Sequence, residues 1–216
     1  RCNWPILLNL DRFHYPRTLN CAFELLDRAV LEGHGERIAL YSEAGSLNYS
    51  ELLKLVNGIA RFLTDELRLR PGERVLLRSP NCPMLAASWL AIVKAGGVAV
   101  TTMPLLRTGE LVKIIDKARI RMALCHAALE LELVAAQREC PVLETVIHFE
   151  RDGKFESRLS KMAQEFHPAA TSADDVCIIA FTSGTTGTPK GTMHFHRDVL
   201  AVCDTFSREI LNSRRT

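Results

Sequence analysis

The sequence predicts an α/β fold, a layered βαβ sheet with helices on both faces, and three observations predict it. Segments with apolar residues at helical spacing alternate with short apolar runs along most of the 216 residues. Those short runs are continuously apolar rather than alternating, the pattern of strands covered on both sides. Successive strands are separated by helix-length segments, and the crossover rule then makes the sheet mostly parallel.

Taken in order, Leu19, Phe23, Leu26 and Val30 repeat at helical spacing and stop at Gly33. Arg37 to Ser42 reads as a short strand. Ser50 is the expected N-cap of the next helix, its hydroxyl accepting an orphan amide of the first turn. Leu52, Val56, Ile59 and Phe62/Leu63 then share one face of that helix. Val75 to Leu77 is a strand, and Pro83 to Ala95 a helix closed by Gly96-Gly97. Val98 to Thr102 follows as a strand, and Glu110 to Ala118 as a helix through Leu111, Ile114 and Ile115. Met122–Cys125, Ala127–Arg138, Thr145–Phe149 and Phe155–Phe166 continue the strand–helix rhythm. After a polar stretch, with a candidate sub-boundary near 167–175, comes strand Val176–Phe181 and a glycine-rich loop. A short extended piece, Thr192 to His196, leads to a helix bearing Val199, Cys203, Phe206 and Ile210.

Composition is that of an ordinary globular chain, 47% hydrophobic and 24% charged, long enough to bury a sizeable core. With a net charge of +2, nothing in the balance argues for a nucleic-acid or anionic-membrane partner. The seven cysteines include no C-x-x-C pair and mostly sit in apolar runs, where cysteine behaves as a small buried hydrophobe. That usage points to a reducing, cytoplasmic setting. No run reaches the roughly 18–20 uninterrupted apolar residues of a membrane span. The longest candidate, Met84 to Val100, is broken by Ser88, Lys94, Gly96 and Gly97.

The stretch carrying the most chemistry is "FTSGTTGTPKG", Phe181 to Gly191. It lies at the carboxyl end of a strand, where open α/β sheets place ligands. Glycines 184, 187 and 191 allow positive φ and remove Cβ atoms, so successive amides can point into one concavity. Thr182, Ser183, Thr185, Thr186 and Thr188 add hydroxyls, and Lys190 a full positive charge. Together they suit a polyphosphate, rich in acceptor oxygens and negative charge. The alternative is a solvated Ser/Thr/Gly turn. A Walker loop is excluded because Pro189 precedes the lysine, no hydroxyl follows it, and no helix starts there. The dinucleotide fingerprint G-x-G-x-x-G is also absent. Ser183 sits in T-S-G, not in the G-x-S-x-G of a nucleophile elbow. His194 and His196 form H-x-H, which an extended segment would point the same way; without further ligands, no metal site is expected there.

The loop resembles the first phosphate-binding signature of the adenylate-forming superfamily, [FY]-T-S-G-[ST]-T-G-x-P-K-G, at every fixed position. Upstream, "LNYSEL" (Leu47–Leu52) resembles the family's L-[TS]-Y-x-E-L element, with Asn48 where a hydroxyl is usual. "KAGGVAVTTMP" (Lys94–Pro104) resembles K-A-G-[GA]-x-x-x-P-x-x-P, with Thr102 where a proline is common. Both read as packing and turn elements. The stretches "NLDRFHYPRTLNCAFELLDR" and "KGTMHFHRDVLAVCDTF" look most like 2-aminobenzoate–CoA ligases and, more loosely, benzoate–CoA ligases.

The resemblance implies an ATP-dependent carboxylate–CoA ligase that uses ATP, Mg and coenzyme A on a carboxylic acid, an aromatic one such as 2-aminobenzoate or benzoate by family likeness, with another aryl or a medium-chain acid as the next candidate. It further implies that Thr182, Ser183, Gly184, Thr185, Thr186, Gly187 and Lys190 hold the ATP phosphates, Lys190 as a clamp rather than a base. The family's later elements (the Y-G-x-T-E-type loop, the T-G-D aspartate, the hinge and the late catalytic lysine) are not found. Residues 1–216 are therefore expected to be the amino-terminal portion of the AMP-binding domain, without the C-terminal catalytic domain. A non-catalytic nucleotide-binding unit is the reading from a different class.

Overall fold

The computed structural model describes residues 14–43, 45–182 and 189–211. Helical turns cover 21–34, including the wide turns Phe23–Asp27 and Val30–His34, and Gly33 turns the chain out at φ 87°. A small antiparallel hairpin, β1 Ile38–Ser42 and β2 Gly45–Asn48, leads into α1 Tyr49–Arg61. Next come β3 Arg74–Arg78, α2 Pro83–Lys94, β4 Val98–Thr102, α3 Thr108–Ala118, β5 Met122–His126, α4 Glu130–Glu139 and β6 Thr145–Phe149. The short α5 Lys154–Leu159 follows, then β7 Val176–Thr182, β8 Lys190–Phe195 and α6 His196–Val202.

The second sheet runs β6-β5-β3-β4-β7-β8. Its first five strands pair in parallel, as expected, and β8 closes the edge antiparallel to β7. Alternation along each strand divides the interior in two, because successive side chains leave opposite faces. Val75, Leu77, Met122 and Leu124 pack with α1 and α2, while Leu76, Ala123 and Cys125 pack with α3 and α4. Helices thus cover both faces, and the continuous apolar runs are explained. Among the described residues no helix is long and apolar enough to cross a membrane.

Two local expectations are corrected. The N-cap of α1 is Asn48, not Ser50: Asn48 Oδ1 accepts the Glu51 amide at 2.8 Å, and Glu51 Oε2 accepts the Asn48 amide at 2.9 Å. This reciprocal box satisfies two orphan donors at once, which Ser50, already inside the first turn, cannot do. The helix expected over Phe155–Phe166 ends at Leu159. Beyond it, α1 side chains take the backbone carbonyls: Asn57 Nδ2 donates to Gln164 O at 2.9 Å and Arg61 to Glu165 O at 2.6 Å. Tertiary hydrogen bonds there replace the helical ladder.

The end of α2 is set from inside. Lys94 has no solvent exposure, and its Nζ donates to Asp27 Oδ1 and Asn57 Oδ1, each at 2.5 Å. Burial pulls the Lys94 ammonium below its ordinary pKa and pushes Asp27 up, and each opposes the other's neutralisation. Two residues on, Gly96 adopts φ +79°, where an added Cβ would lie 2.9 Å from the Ala169 Cβ. Lys94→Ala leaves the Asp27 carboxylate without its cation, and should cost about 3–5 kcal/mol in urea unfolding. The double variant Lys94→Met/Asp27→Leu should recover most of that loss; equal destabilisation of both proteins would refute the pairing.

Candidate functional site

The fold creates a crevice before any functional residue is considered. Strand β3 hands its chain to α2 on one face, and β4 hands its chain to α3 on the other, so the sheet reverses its winding between β3 and β4. Ligands of open α/β sheets bind outside the carboxyl ends of strands at such a switch point. Here a cavity of about 850 Å³ opens at that point. Leu77, Ser79, Thr101 and Thr102 line its floor, Cys82 just before α2 and Trp89 within it one wall, and Ile114 of α3 the other. Phe181, Thr182 and Pro189 form the rim toward β7 and β8.

One wall is held by a buried guanidinium. Arg78, 1% exposed, donates to the carbonyls of Met103, Pro104 and Leu106 at 2.9–3.1 Å and to Leu129 O at 3.2 Å. Planar, multiply donating Arg suits such a fixed fan of acceptors. The 103–106 segment is thereby fixed while Met103 and Leu105 stay largely exposed at the cavity. "KAGGVAVTTMP" therefore does more than pack and turn: its lysine and glycines set the core, and its last four residues line the cavity.

The glycine-rich stretch joins the two strands of the β7–β8 hairpin. Thr182 and Lys190 are register partners across it, and both are exposed. Ser183, Gly184, Thr185, Thr186 and Gly187 lie outside the described residues, so the structure brings two of the seven expected phosphate ligands together at the stem. Gly191 works by lacking a side chain and not through positive φ: a Cβ would stand 3.0 Å from Ile179 Cγ2 and 3.2 Å from Phe181 Cζ. Lys117 of α3 was missed by sequence reasoning. Its Nζ donates to Pro189 O at 2.8 Å, tying α3 to the loop's returning end. No signal in the sequence links residues 72 positions apart.

The H-x-H pair does not act as a pair. Strand β8 ends at Phe195, and His196 begins α6, so the two side chains no longer share an extended backbone. His196 is 1% exposed; its Nδ1 accepts the Cys21 amide at 3.1 Å. Burial lowers its pKa from 6.5 to about 4, against a small upward pull from Asp175. The imidazole is neutral near pH 7.

The AMP-binding enzyme family model matches residues 26–215. The chain is 29% identical to the benzoate–CoA ligase of Thauera aromatica over 92% of its own length and 38% of that protein's. It is 30% identical to a 3-hydroxybenzoate–CoA/4-hydroxybenzoate–CoA ligase of the same organism, over 89% of this chain and 38% of the relative. Among solved structures, the anthranilate CoA ligase AuaEII in complex with anthranoyl-AMP superposes with a TM-score of 0.84 at 24% identity, covering 90% of this chain and 37% of that one. ATP-bound MatB from Rhodopseudomonas palustris superposes at 0.75 with 26% identity, over 87% and 37%. The chain thus spans under two fifths of the length of these relatives.

Two outcomes are expected. Gly191→Ala should destabilise the hairpin by about 1–3 kcal/mol through overpacking against Ile179 and Phe181, read as a lowered thermal midpoint; an unchanged midpoint would contradict the close approach. For His196, the unfolded chain takes up a proton between pH 6.5 and about 4 while the native chain does not, so stability falls as pH drops through that window. The loss should approach about 3 kcal/mol near pH 4, and His196→Asn should flatten this part of the stability–pH curve in metal-free buffer.

Proposed function

The chain belongs to the AMP-binding enzyme family, and on that footing we propose that it is the amino-terminal portion of the adenylation domain of an ATP-dependent carboxylate–CoA ligase. The substrate we propose is an aromatic acid such as 2-aminobenzoate or benzoate, with another aryl or a medium-chain acid next in line. One observation carries the reading: the T-S-G-T-T-G-T-P-K-G stretch spans a hairpin whose stem stands at the rim of an apolar cavity at the switch point. The names of the similar ligases support the acid class.

In this reading the reaction proceeds in two displacements. A carboxylate oxygen attacks the α-phosphorus of ATP, the bond to the β-phosphate breaks, and pyrophosphate leaves with the electron pair. The acyl-adenylate is then attacked by the coenzyme A thiol, which loses its proton, and AMP departs to leave a thioester. Thr182, Ser183, Gly184, Thr185, Thr186 and Gly187 would grip the β- and γ-phosphates through amides and hydroxyls, with Lys190 as the point charge. Their contribution is alignment plus stabilisation of the charge developing on the leaving pyrophosphate. Glu110 is the sole carboxylate among the described cavity-lining residues, and its Oε2 already accepts the Arg107 amide at 2.9 Å. Among the described cavity-lining residues there is thus no carboxylate cage, and an Mg2+ in this reading would be carried by phosphate oxygens and water. Such an ion would neutralise phosphate charge.

A second reading is favoured by one observation, the chain's span of about 38% of its relatives. On their own, these 216 residues would bind nucleotide without turning it over, and ATP–pyrophosphate exchange by the isolated chain would overturn that. For the whole protein, carboxylate-dependent ATP–pyrophosphate exchange with an aromatic acid is the expected activity. Silence across a panel of aromatic and fatty acids would sink the ligase reading. Lys190→Ala should slow adenylation about 10²-fold and raise the ATP requirement with an unchanged melting profile, since the lysine is exposed. Wild-type rates at wild-type ATP would remove the clamp role.

A further inference from the structure

Beneath the hairpin, away from the cavity, three ligand-type side chains from remote parts of the chain meet in the core. Cys21 opens the first helical segment, Cys177 lies on β7 and His196 begins α6. Their exposures are 0%, 0% and 1%. The Cys21 and Cys177 sulfurs are 4.0 Å apart, His196 Nδ1 is 3.3 Å from Cys21 Sγ, and all three donor atoms lie within 4.8 Å of one another. Nothing in the proposed ligase chemistry uses these groups.

Two of these separations, 4.0 Å and 3.3 Å, lie close to the edges of a coordination polyhedron. Metal–sulfur bonds of about 2.3 Å and metal–nitrogen bonds of about 2.0–2.1 Å put ligand atoms roughly 3.5–4.0 Å apart. The geometry points to a buried three-ligand site for a thiophilic divalent cation of the zinc class, held by two thiolates and one imidazole. Charge favours a divalent ion: two thiolates and a neutral His196 make the centre electrically neutral, whereas copper(I) would leave a buried negative charge. Three protein ligands leave one position for a small donor such as water.

Binding balances as one M2+ taken up and two thiol protons released. In the metal-free core Cys21 is held as the thiol, first by its contact with Cys177 and then by burial, so the cation must displace those protons and uptake weakens as pH falls. His196 Nδ1 would give up the Cys21 amide, and the metal-bound sulfur beside it is an acceptor that amide can turn to. The consequence is mechanical. Cys21 and His196 stand 175 residues apart, and Cys177 lies five residues before Thr182. A bound ion would cross-link the first helical segment, the strand leading to the glycine-rich loop and the helix leaving it. The inference is independent of the ligase reading.

The test uses the reduced, metal-free whole protein, with Cd2+ as an optical probe and Zn2+ for affinity and stability. One equivalent of Cd2+ should bind with a thiolate charge-transfer band that Cys21→Ala or Cys177→Ala abolishes and Cys125→Ala retains. His196→Asn should weaken Zn2+ at least tenfold, and Zn2+ should raise the melting temperature of the wild type but not of Cys21→Ala/Cys177→Ala. Circular dichroism checks that each variant folds. If the cysteine variants do not fold, X-ray absorption at the zinc edge of the loaded wild type decides: two sulfur neighbours and a nitrogen support the site, and a shell lacking sulfur overturns it. Absence of stoichiometric uptake by folded wild type, or a band that survives the double variant, would also overturn it.

Discussion

A buried ammonium group organises the half of this molecule on which α1 and α2 pack. Lys94 sits at the last turn of α2 with its charge removed from water, and it is tolerable there only because Asp27 and Asn57 converge on it. The first helical segment, α1 and α2 must therefore dock in one arrangement. The same turn holds a fourth segment through its backbone: the Lys94 carbonyl accepts the Ala169 amide at 2.9 Å, and Asn20 Nδ2 reaches the Val93 carbonyl at 3.1 Å. Hydrophobic burial supplies more free energy than this cluster, but it is non-directional. The cluster supplies direction.

From that docking the geometry of the crevice follows. With α1 and α2 committed to one face, α3 and α4 must cover the other, and the chain has to reverse its winding between β3 and β4. Arg78 consolidates the result by gathering the carbonyls of the 103–106 segment into one fan, which keeps apolar side chains at the cavity without letting the segment collapse into it. On the far side, Lys117 fastens the returning end of the glycine-rich stretch to α3. Loop and cavity are thus tied to the same helix.

Some of this was legible along the chain. The continuous apolar runs announced strands covered on both faces, and Val98–Thr102 and Thr145–Phe149 are the strands observed. The motif at Phe181–Gly191 is a local arrangement of backbone freedom, hydroxyls and charge, so the family resemblance it carries could be read without knowing what lay nearby. Expectations went astray where a choice was made by distant atoms. Ser50 and Asn48 are both good caps, and only the reach of Glu51 back to residue 48 selects between them. The periodicity after Phe155 would support a longer helix, but beyond Leu159 the segment is held by tertiary contacts instead, Asn57 and Arg61 donating to the Gln164 and Glu165 carbonyls.

By itself, then, the sequence determined the α/β class and most of the strands of the larger sheet, because each depends on residues within a few positions of one another. The tertiary structure alone decided that Lys94 is a buried tie, that Lys117 anchors Pro189, and that Cys21, Cys177 and His196 share a few ångströms of core. The reason is physical. Periodicity and turn chemistry record what a segment does with its own backbone, whereas a contact between remote side chains depends on how whole layers pack, and composition along the chain carries no trace of that separation.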